Sequence, residues 1–374
     1  MPRIVSSAVA FPDNYYDQEM LASALKKYFL MERLGFSDLD LIDTLFTNSR
    51  INGRYMGLSL DAFFSPPGSG TAMQRAIDEA VSLCESLLKN LLAESQLPPG
   101  DVAHITSSTC LYALPTLEAR LMNRIPFSPD TKRMPLNGLG CMAGAAGLSR
   151  TMDYLQGHPK EAAISFAVEI SSLLWQGSLQ RDLAAQIEEL EQEPAMYKEI
   201  VSNLISAALF ADGAGAVLMT GDDHELGSPL RVLDTRSMIS SDTTDIMGLR
   251  WMNSGLRNIL RPEVPRHARE GVRRLIGPML EHNNVSLDSV GFWLVHPGGP
   301  RVLEAIQEEF NLTEDDFHLS HEILAEYGNM SSATVLVILD RFLRSEKKPP
   351  SGSYGVMVAM GPGFSQEAVL MQWD

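Results

Sequence analysis

Three side chains in this sequence have the types and surroundings needed to make and break carbon bonds. They are a thiol, an imidazole and a carboxamide, each at a turn between an apolar strand pattern and a helix pattern. Cys141 lies in LNGLGCMAGAAGLSR, where the turn Asn137-Gly138-Leu139-Gly140 opens a helix rich in glycine and alanine. Unpaired N–H groups at a helix start favour negative charge, so the position predicts thiolate character; a buried structural cysteine is the alternative. His296 follows the apolar run Phe292 to Val295 and opens HPGGP, whose glycines let a substrate approach the backbone. Asn329, in EYGNMSSATVLVIL, sits where asparagine commonly caps a helix. A thiolate needs a proton partner, and a thioester or enolate needs donors aimed at the oxygen where charge develops. Together the three supply a nucleophile, a proton-transfer group and a neutral amide donor.

The elements that must hold them read as an α/β alternation. Apolar residues at helical spacing (Met73, Ile77, Val81, Cys84, Leu88, Leu91) predict a helix over Thr71–Leu92. Further helices are expected over Pro115–Asn123, Cys141–Leu155, Pro265–Glu281, Arg301–Phe310 and Ser332–Leu343. Buried strands are expected over Val102–Ser107, Ala162–Val168, Gly215–Met219, Phe292–Val295 and Tyr354–Ala359. The polar, turn-rich GDDHELGSP at Gly221–Pro229 divides the chain into 1–220, which carries the cysteine, and 221–374, which carries the histidine and asparagine.

Four stretches, LNGLGCMAGAAGL, FWLVHPGGPRVLEAI, EYGNMSSATVLVILD and the terminal AMGPGFSQEAVLMQW, resemble the signature regions of the chalcone synthase-like type III polyketide synthases. NSRINGRYM, ALFADGAGAVL and RPEVP add weaker matches in the expected order, and the resemblance is to bacterial more than plant members. It implies a five-layered αβαβα thiolase-like fold of two related halves, a homodimer, and acyl-CoA and malonyl-CoA as substrates. Decarboxylation would drive carbon–carbon bond formation with no metal or bound redox cofactor. Cys141 would carry the starter acyl group, while His296 and Asn329 would promote malonyl decarboxylation and stabilise the enolate. Phe210 matches an aromatic gatekeeper between the CoA entrance and the cavity. Thr109, Cys110 and Ser331 match cavity-lining positions, although simple packing is the plainer role for Cys110. Arg50 and Arg54 are the nearest basic residues to the family's CoA-phosphate patch, although Asn48, Asn52 and Gly53 stand where some relatives have further basic residues. Trp175–Lys198, with its acidic run QIEELEQE, is longer than in relatives and reads as a solvated surface helix or as a rim near the tunnel mouth. The expected product is an alkylpyrone or alkylresorcinol from a fatty acyl starter, with an all-malonyl aromatic product as the alternative.

Composition bounds the rest. The 374 residues are 45% hydrophobic with a net charge of −17, and no basic cluster suits a nucleic-acid backbone or an anionic membrane. The first residues do not read as a signal peptide and no run reaches the ~18 apolar residues of a membrane span, which predicts a cytoplasmic protein. Three cysteines are too few for a disulfide framework. A papain-like protease uses the same residue trio but wants its cysteine near the mature N-terminus beside an aromatic residue. A ketoacyl synthase III or hydroxymethylglutaryl-CoA synthase relative would share the nucleophile; the latter would want an acidic base, for which Glu169 is the candidate, although a structural carboxylate is the plainer role. An inactive scaffold would not need all three chemical positions filled.

Overall fold

The computed structural model describes residues 1–31, 38–64, 68–173, 177–190, 193–194, 196–252 and 255–374. Its strands are β1 (Arg3–Ala10), β2 (Asn14–Asp17), β3 (Gly53–Met56), β4 (Val102–Ser108), β5 (Lys132–Leu136), β6 (Ala162–Ile170) and β7 (Asp212–Thr220). They continue as β8 (Leu230–Ile239), β9 (Met247–Met252), β10 (Gly255–Leu260), β11 (Val290–Val295), β12 (Tyr354–Gly361) and β13 (Ser365–Trp373). The helices are α1 (Gln18–Met31), α2 (Asp40–Asn48), α3 (Leu60–Phe63), α4 (Ser69–Ser95), α5 (Leu117–Leu121) and α6 (Ala143–Gly157). After them come α7 (Gly177–Leu190), α8 (Met196–Leu209), α9 (Val264–His282), α10 (Pro300–Phe310), α11 (His318–Tyr327) and α12 (Thr334–Arg344).

Nine strands form one hydrogen-bonded series in the order β11-β12-β13-β8-β1-β7-β6-β4-β5. Its centre is thin, because β1 and β8 share only the pairs Arg3 with Arg231 and Ile4 with Leu230. On either side of that seam the same pattern recurs. In β1-β7-β6-β4 the successive pairings are antiparallel, antiparallel and parallel, and so they are in β8-β13-β12-β11.

The strands are buried on both faces, which is why β6 and β12 read as unbroken apolar runs rather than alternating ones. Alternate residues still choose different layers. Ile164, Phe166 and Val168 of β6 pack outward with α4, whereas Ala163 and Ala167 face inward on α6 and α12. Val356, Val358 and Met360 of β12 pack outward with α9 and α10, whereas Met357 and Ala359 face the same inner helices. The result is the five-layered αβαβα thiolase fold, with α6 and α12 as its central layer.

A fourth cluster lies apart from these layers. Leu21, Leu25 and Phe29 of α1 and Ile42 and Phe46 of α2 pack with Leu183 and Ile187 of α7 and with Ile200 and Leu204 of α8. The expected solvated helix in Trp175–Lys198 is therefore half core: α7 is fastened by these side chains and by Asn203 donating to Gln186, 2.8 Å apart. Trp175 and residues 191–192 of the acidic run lie outside the described residues. No described helix is long and apolar enough to cross a membrane.

Candidate active site

The Cys141 turn forms because its backbone needs glycine. Gly140 has φ +54°, and a Cβ there would run into the Pro362 ring. Cys141 sits in the short 3-10 turn Gly140–Met142 that leads into α6. Ser108 of β4 holds the helix start by donating to the Ala143 carbonyl (2.8 Å), and Asn137 donates to the carbonyls of Thr109 and Leu111 (both 3.1 Å). The Cys141 turn and the loop after β4 are thus tied together.

Asn329 and Ser331 approach from the start of α12. The Asn329 amide oxygen accepts from Ser331 N at 2.8 Å, the side-chain-to-backbone turn typical of a helix-starting asparagine. Since that oxygen faces an N–H, the NH2 end of the amide is the end presented elsewhere. Ser331 has φ +51°, a left-handed conformation costing roughly 1–3 kcal/mol for a residue with a side chain. That conformation brings the Ser331 hydroxyl to the Cys141 sulfur, which donates to it at 3.5 Å.

His296 ends β11 with its backbone N–H on the Val358 carbonyl of β12 (2.9 Å), while the neighbouring Val295 N–H is held by Ser320. Its side chain is fully buried, and both ring nitrogens lack a hydrogen-bond partner among the described residues. Two unsatisfied polar atoms on one buried ring are costly, so the ring is placed for something other than stability.

Burial governs the protonation of the site. It pushes the Cys141 thiol up to about 12, with the Ser331 hydroxyl pulling against it and the Glu169 carboxyl adding to it. It pulls His296 down to about 3. The thiolate expected from the helix start is therefore outweighed by desolvation when Cys141 is taken alone.

Glu169 is the residue whose role the sequence left to structure. It stands in the apolar run of β6, and that lone carboxylate was the available signal. Its Oε1 accepts from Ser332 (2.5 Å) and Ser331 (3.4 Å), and its Oε2 from the backbone N–H of Cys110 (3.0 Å). Burial raises it to about 7. Cys110, expected to line the cavity or merely pack, lies beside this carboxyl, and its thiol is raised well above its usual value by burial and then by Glu169. Thr109 uses its own hydroxyl to accept from Leu111 N (3.1 Å).

Phe210 is buried at the junction of α8 and β7 and forms an isolated parallel bridge with Asn329. The two basic residues expected at CoA phosphates part company. Arg50 is exposed but engaged by Glu304 (2.8 Å) and Glu314 (3.8 Å). Arg54 is 1% exposed and donates to the Phe210 carbonyl (2.6 Å), so it has no surface to offer a phosphate, and that expectation is corrected.

The repeated strand pattern on either side of the β1/β8 seam defines a protein of the thiolase fold, and Cys141, His296 and Asn329 are all buried in it. A family model for the C-terminal domain of chalcone and stilbene synthases matches residues 233–373, and one for FAE1/type III polyketide synthase-like proteins matches residues 21–186. The chain is 33% identical over 97% of its length to a 1,3,6,8-tetrahydroxynaphthalene synthase of Streptomyces peucetius subsp. caesius, 91% of which is covered. It is 28% identical over its full length to a putative chalcone synthase of Bacillus subtilis (strain 168), 99% of which is covered. The crystal structure of 1,3,6,8-tetrahydroxynaphthalene synthase from Streptomyces coelicolor A3(2) superposes with a TM-score of 0.87 at 24% identity, covering 100% of this chain and 99% of that one. The chain belongs to the type III polyketide synthase family, acyltransferases that condense malonyl-CoA units.

Proposed function

We propose that Cys141 is the acyl carrier and that His296 and Asn329 run the decarboxylation. The observation that carries this reading is the fully buried His296 ring with both nitrogens unpartnered. In the first half-reaction the Cys141 proton passes to His296, the sulfur attacks the acyl-CoA carbonyl, and the departing CoA thiolate takes that proton back. In the second, the C–CO2 bond of malonyl-CoA breaks, CO2 leaves, and the electron pair becomes an enolate. Neutral His296 and the Asn329 NH2 donate to its oxygen. The enolate carbon then attacks the Cys141 thioester and expels the sulfur, leaving the chain two carbons longer on CoA. Each step uses CoA thioesters alone, so no bound cofactor is called for.

The product reading favoured here is a malonyl-only chain. Polar groups around Cys141, namely Cys110, Glu169, Ser331 and Ser332, suit a polyketone better than an alkyl chain, and the relative at 33% identity is a tetrahydroxynaphthalene synthase. A fatty acyl starter leading to an alkylpyrone is the second reading, favoured by the 23% identity to an alpha-pyrone synthesis polyketide synthase-like protein of Mycobacterium tuberculosis. Phe210, Thr109, Cys110 and Ser331 are proposed to line the path of the growing chain, and Arg50 to meet the CoA phosphates once its two carboxylates yield.

The division of the chain at 220/221 is supported by the repeated strand pattern on either side of β1 and β8. A cytoplasmic homodimer completes the proposal; β5, which ends the sheet series with one edge unpaired among the described residues, is a strand that a second copy could extend. Product analysis with malonyl-CoA alone and with a panel of acyl-CoA starters decides between the two product readings. For the nucleophile, Cys141→Ala should keep the fold and lose the acyl adduct seen by intact-protein mass. An adduct that persists in the variant would overturn the assignment.

A further inference from the structure

The reaction laid out above leaves Arg54 without a task, yet it is the bulkiest fully buried side chain among the described residues. It projects from β3, its guanidinium 5.9 Å from the ring centre of Phe46 and 2.6 Å from the Phe210 carbonyl oxygen, and its Nε has no partner among the described residues. Burial lowers it to about 9, against the opposing charge of Asp212, so at neutral pH it remains a cation. Burying a cation whose donors are only partly satisfied costs several kcal/mol, roughly, and is not an economical way to fill space.

Its contacts fall on both strands of one bridge. The C=O of Phe210 and the N–H of Ala211 belong to the same planar peptide group, so fixing one fixes the other. The C=O is held by Arg54, and the N–H donates to the Asn329 carbonyl at 2.9 Å. On the opposite strand, the Asn329 N–H donates to the Leu209 carbonyl at 2.9 Å. The stem of Arg54 supports the residue just before. Gly328 has φ +72°, and a Cβ there would come within 2.8 Å of both Cγ and Cδ of Arg54. Neighbouring rings lock the same pair of segments: Tyr55 stacks on Phe11 (4.9 Å) and Phe11 on Tyr327 (4.7 Å). Asp212, which follows the bridge, accepts from Gly57 N (2.7 Å) and Ser172 N (2.9 Å), anchoring the far end. By contrast, the Cys141 turn is held by Asn137 and Ser108, without Arg54.

The geometry points to Arg54 as a positioning residue: by setting the plane of the Phe210–Ala211 peptide and seating Gly328, it holds the Asn329 amide and the Phe210 ring in place for the malonyl half-reaction. This rests on the reading of Asn329 as an enolate donor. A loss of Arg54 should therefore fall on decarboxylation and spare acylation of Cys141.

The test compares wild type, Arg54→Met, Arg54→Lys, Asn329→Ala and the Arg54→Met/Asn329→Ala double variant. Two rates are measured on each: CO2 release from malonyl-CoA, and Cys141 acylation by hexanoyl-CoA followed by intact mass. Arg54→Met should lower kcat for CO2 release about 10- to 100-fold while KM and the acylation rate stay within about threefold, the pattern of an interaction used in the transition state. Arg54→Lys should recover part of that loss, and the double variant should be no slower than Asn329→Ala alone, because the two residues act as one unit. Wild-type CO2 release in Arg54→Met, equal losses in both rates, or additive losses in the double variant would each refute the assignment. If Arg54→Met does not fold, Arg54→Lys carries the same comparison, with a reduced kcat at unchanged KM expected. Unimpaired CO2 release in Asn329→Ala would instead sink the reading of Asn329, which separates the two failures.

Discussion

Glu169→Gln should make the protein relatively more stable as pH rises, and the size of the effect follows from the burial of this carboxyl. Glu169 is 2% exposed, and desolvation outweighs the donors on its oxygens, lifting it from 4.5 to about 7. Below about pH 4.5 both folded and unfolded chains hold the proton and no penalty exists. Between that point and about pH 7 the unfolded chain has released a proton that the folded chain keeps, so stability falls as pH rises. Above about pH 7 the folded chain must bury the charge, and the penalty reaches roughly 3 kcal/mol at ~1.4 kcal/mol per pH unit. Glutamine has no such slope. It does disturb the hydrogen bonds from Ser332 and Cys110, at a cost of about 1–2 kcal/mol that does not change with pH. Urea unfolding of both chains from pH 5 to pH 8, followed by tryptophan fluorescence, should show the stability difference moving toward the variant by ~2–3 kcal/mol across that range. Parallel pH curves would mean that Glu169 is already ionised at pH 5, and the account of its burial would be wrong.

Two further outcomes follow from the same site. In Gly144→Ala the new methyl group would collide with the Ser332 carbonyl and crowd Val335, so the central helices must part, with an expected loss of about 1–3 kcal/mol and impaired acylation; unchanged urea midpoint and rate would contradict the close contact. In His296→Gln the proposed proton partner of Cys141 is removed while the thiol stays buried, so its alkylation by iodoacetamide should require higher pH than in wild type. Superimposable pH profiles would show that the imidazole does not take the thiol proton.

What could be read from the sequence was whatever leaves a periodic or punctuated trace. The helix expected over Thr71–Leu92 is α4, Ser69–Ser95, and the strands expected over Ala162–Val168 and Tyr354–Ala359 are β6 and β12, because buried strands give unbroken apolar runs. Pro115–Asn123 shrinks to the five-residue α5, since the proline and threonine before Leu117 remain extended and the chain turns after Leu121. β1, β8 and β13 escaped notice because polar residues such as Ser6, Asp234 and Glu367 interrupt their apolar pattern. Cys141, His296 and Asn329 were visible through their turns. The Glu169 network was not, because Ser331, Ser332 and Cys110 come from distant stretches and their meeting depends on a left-handed serine. Arg54 was misplaced for a related reason: the sequence records a basic residue but not the side of β3 on which it is buried.

A site this dry can form charge only where an opposite charge or a donor appears beside it. On the proposed mechanism the thiolate of Cys141, costly by itself, would arise as His296 becomes cationic, so that the net charge does not change. On the same reading the enolate, costly by itself, would form as the leaving CO2 removes one carboxylate, and a neutral His296 could donate to its oxygen from its one N–H. A permanently ionised Glu169 beside Cys141 would oppose both events. Its elevation to about 7 means that near neutrality much of it carries a proton and adds little negative charge. The burial that raises the thiol and lowers the imidazole therefore also quiets the nearby carboxyl, and all three shifts have desolvation as their largest cause.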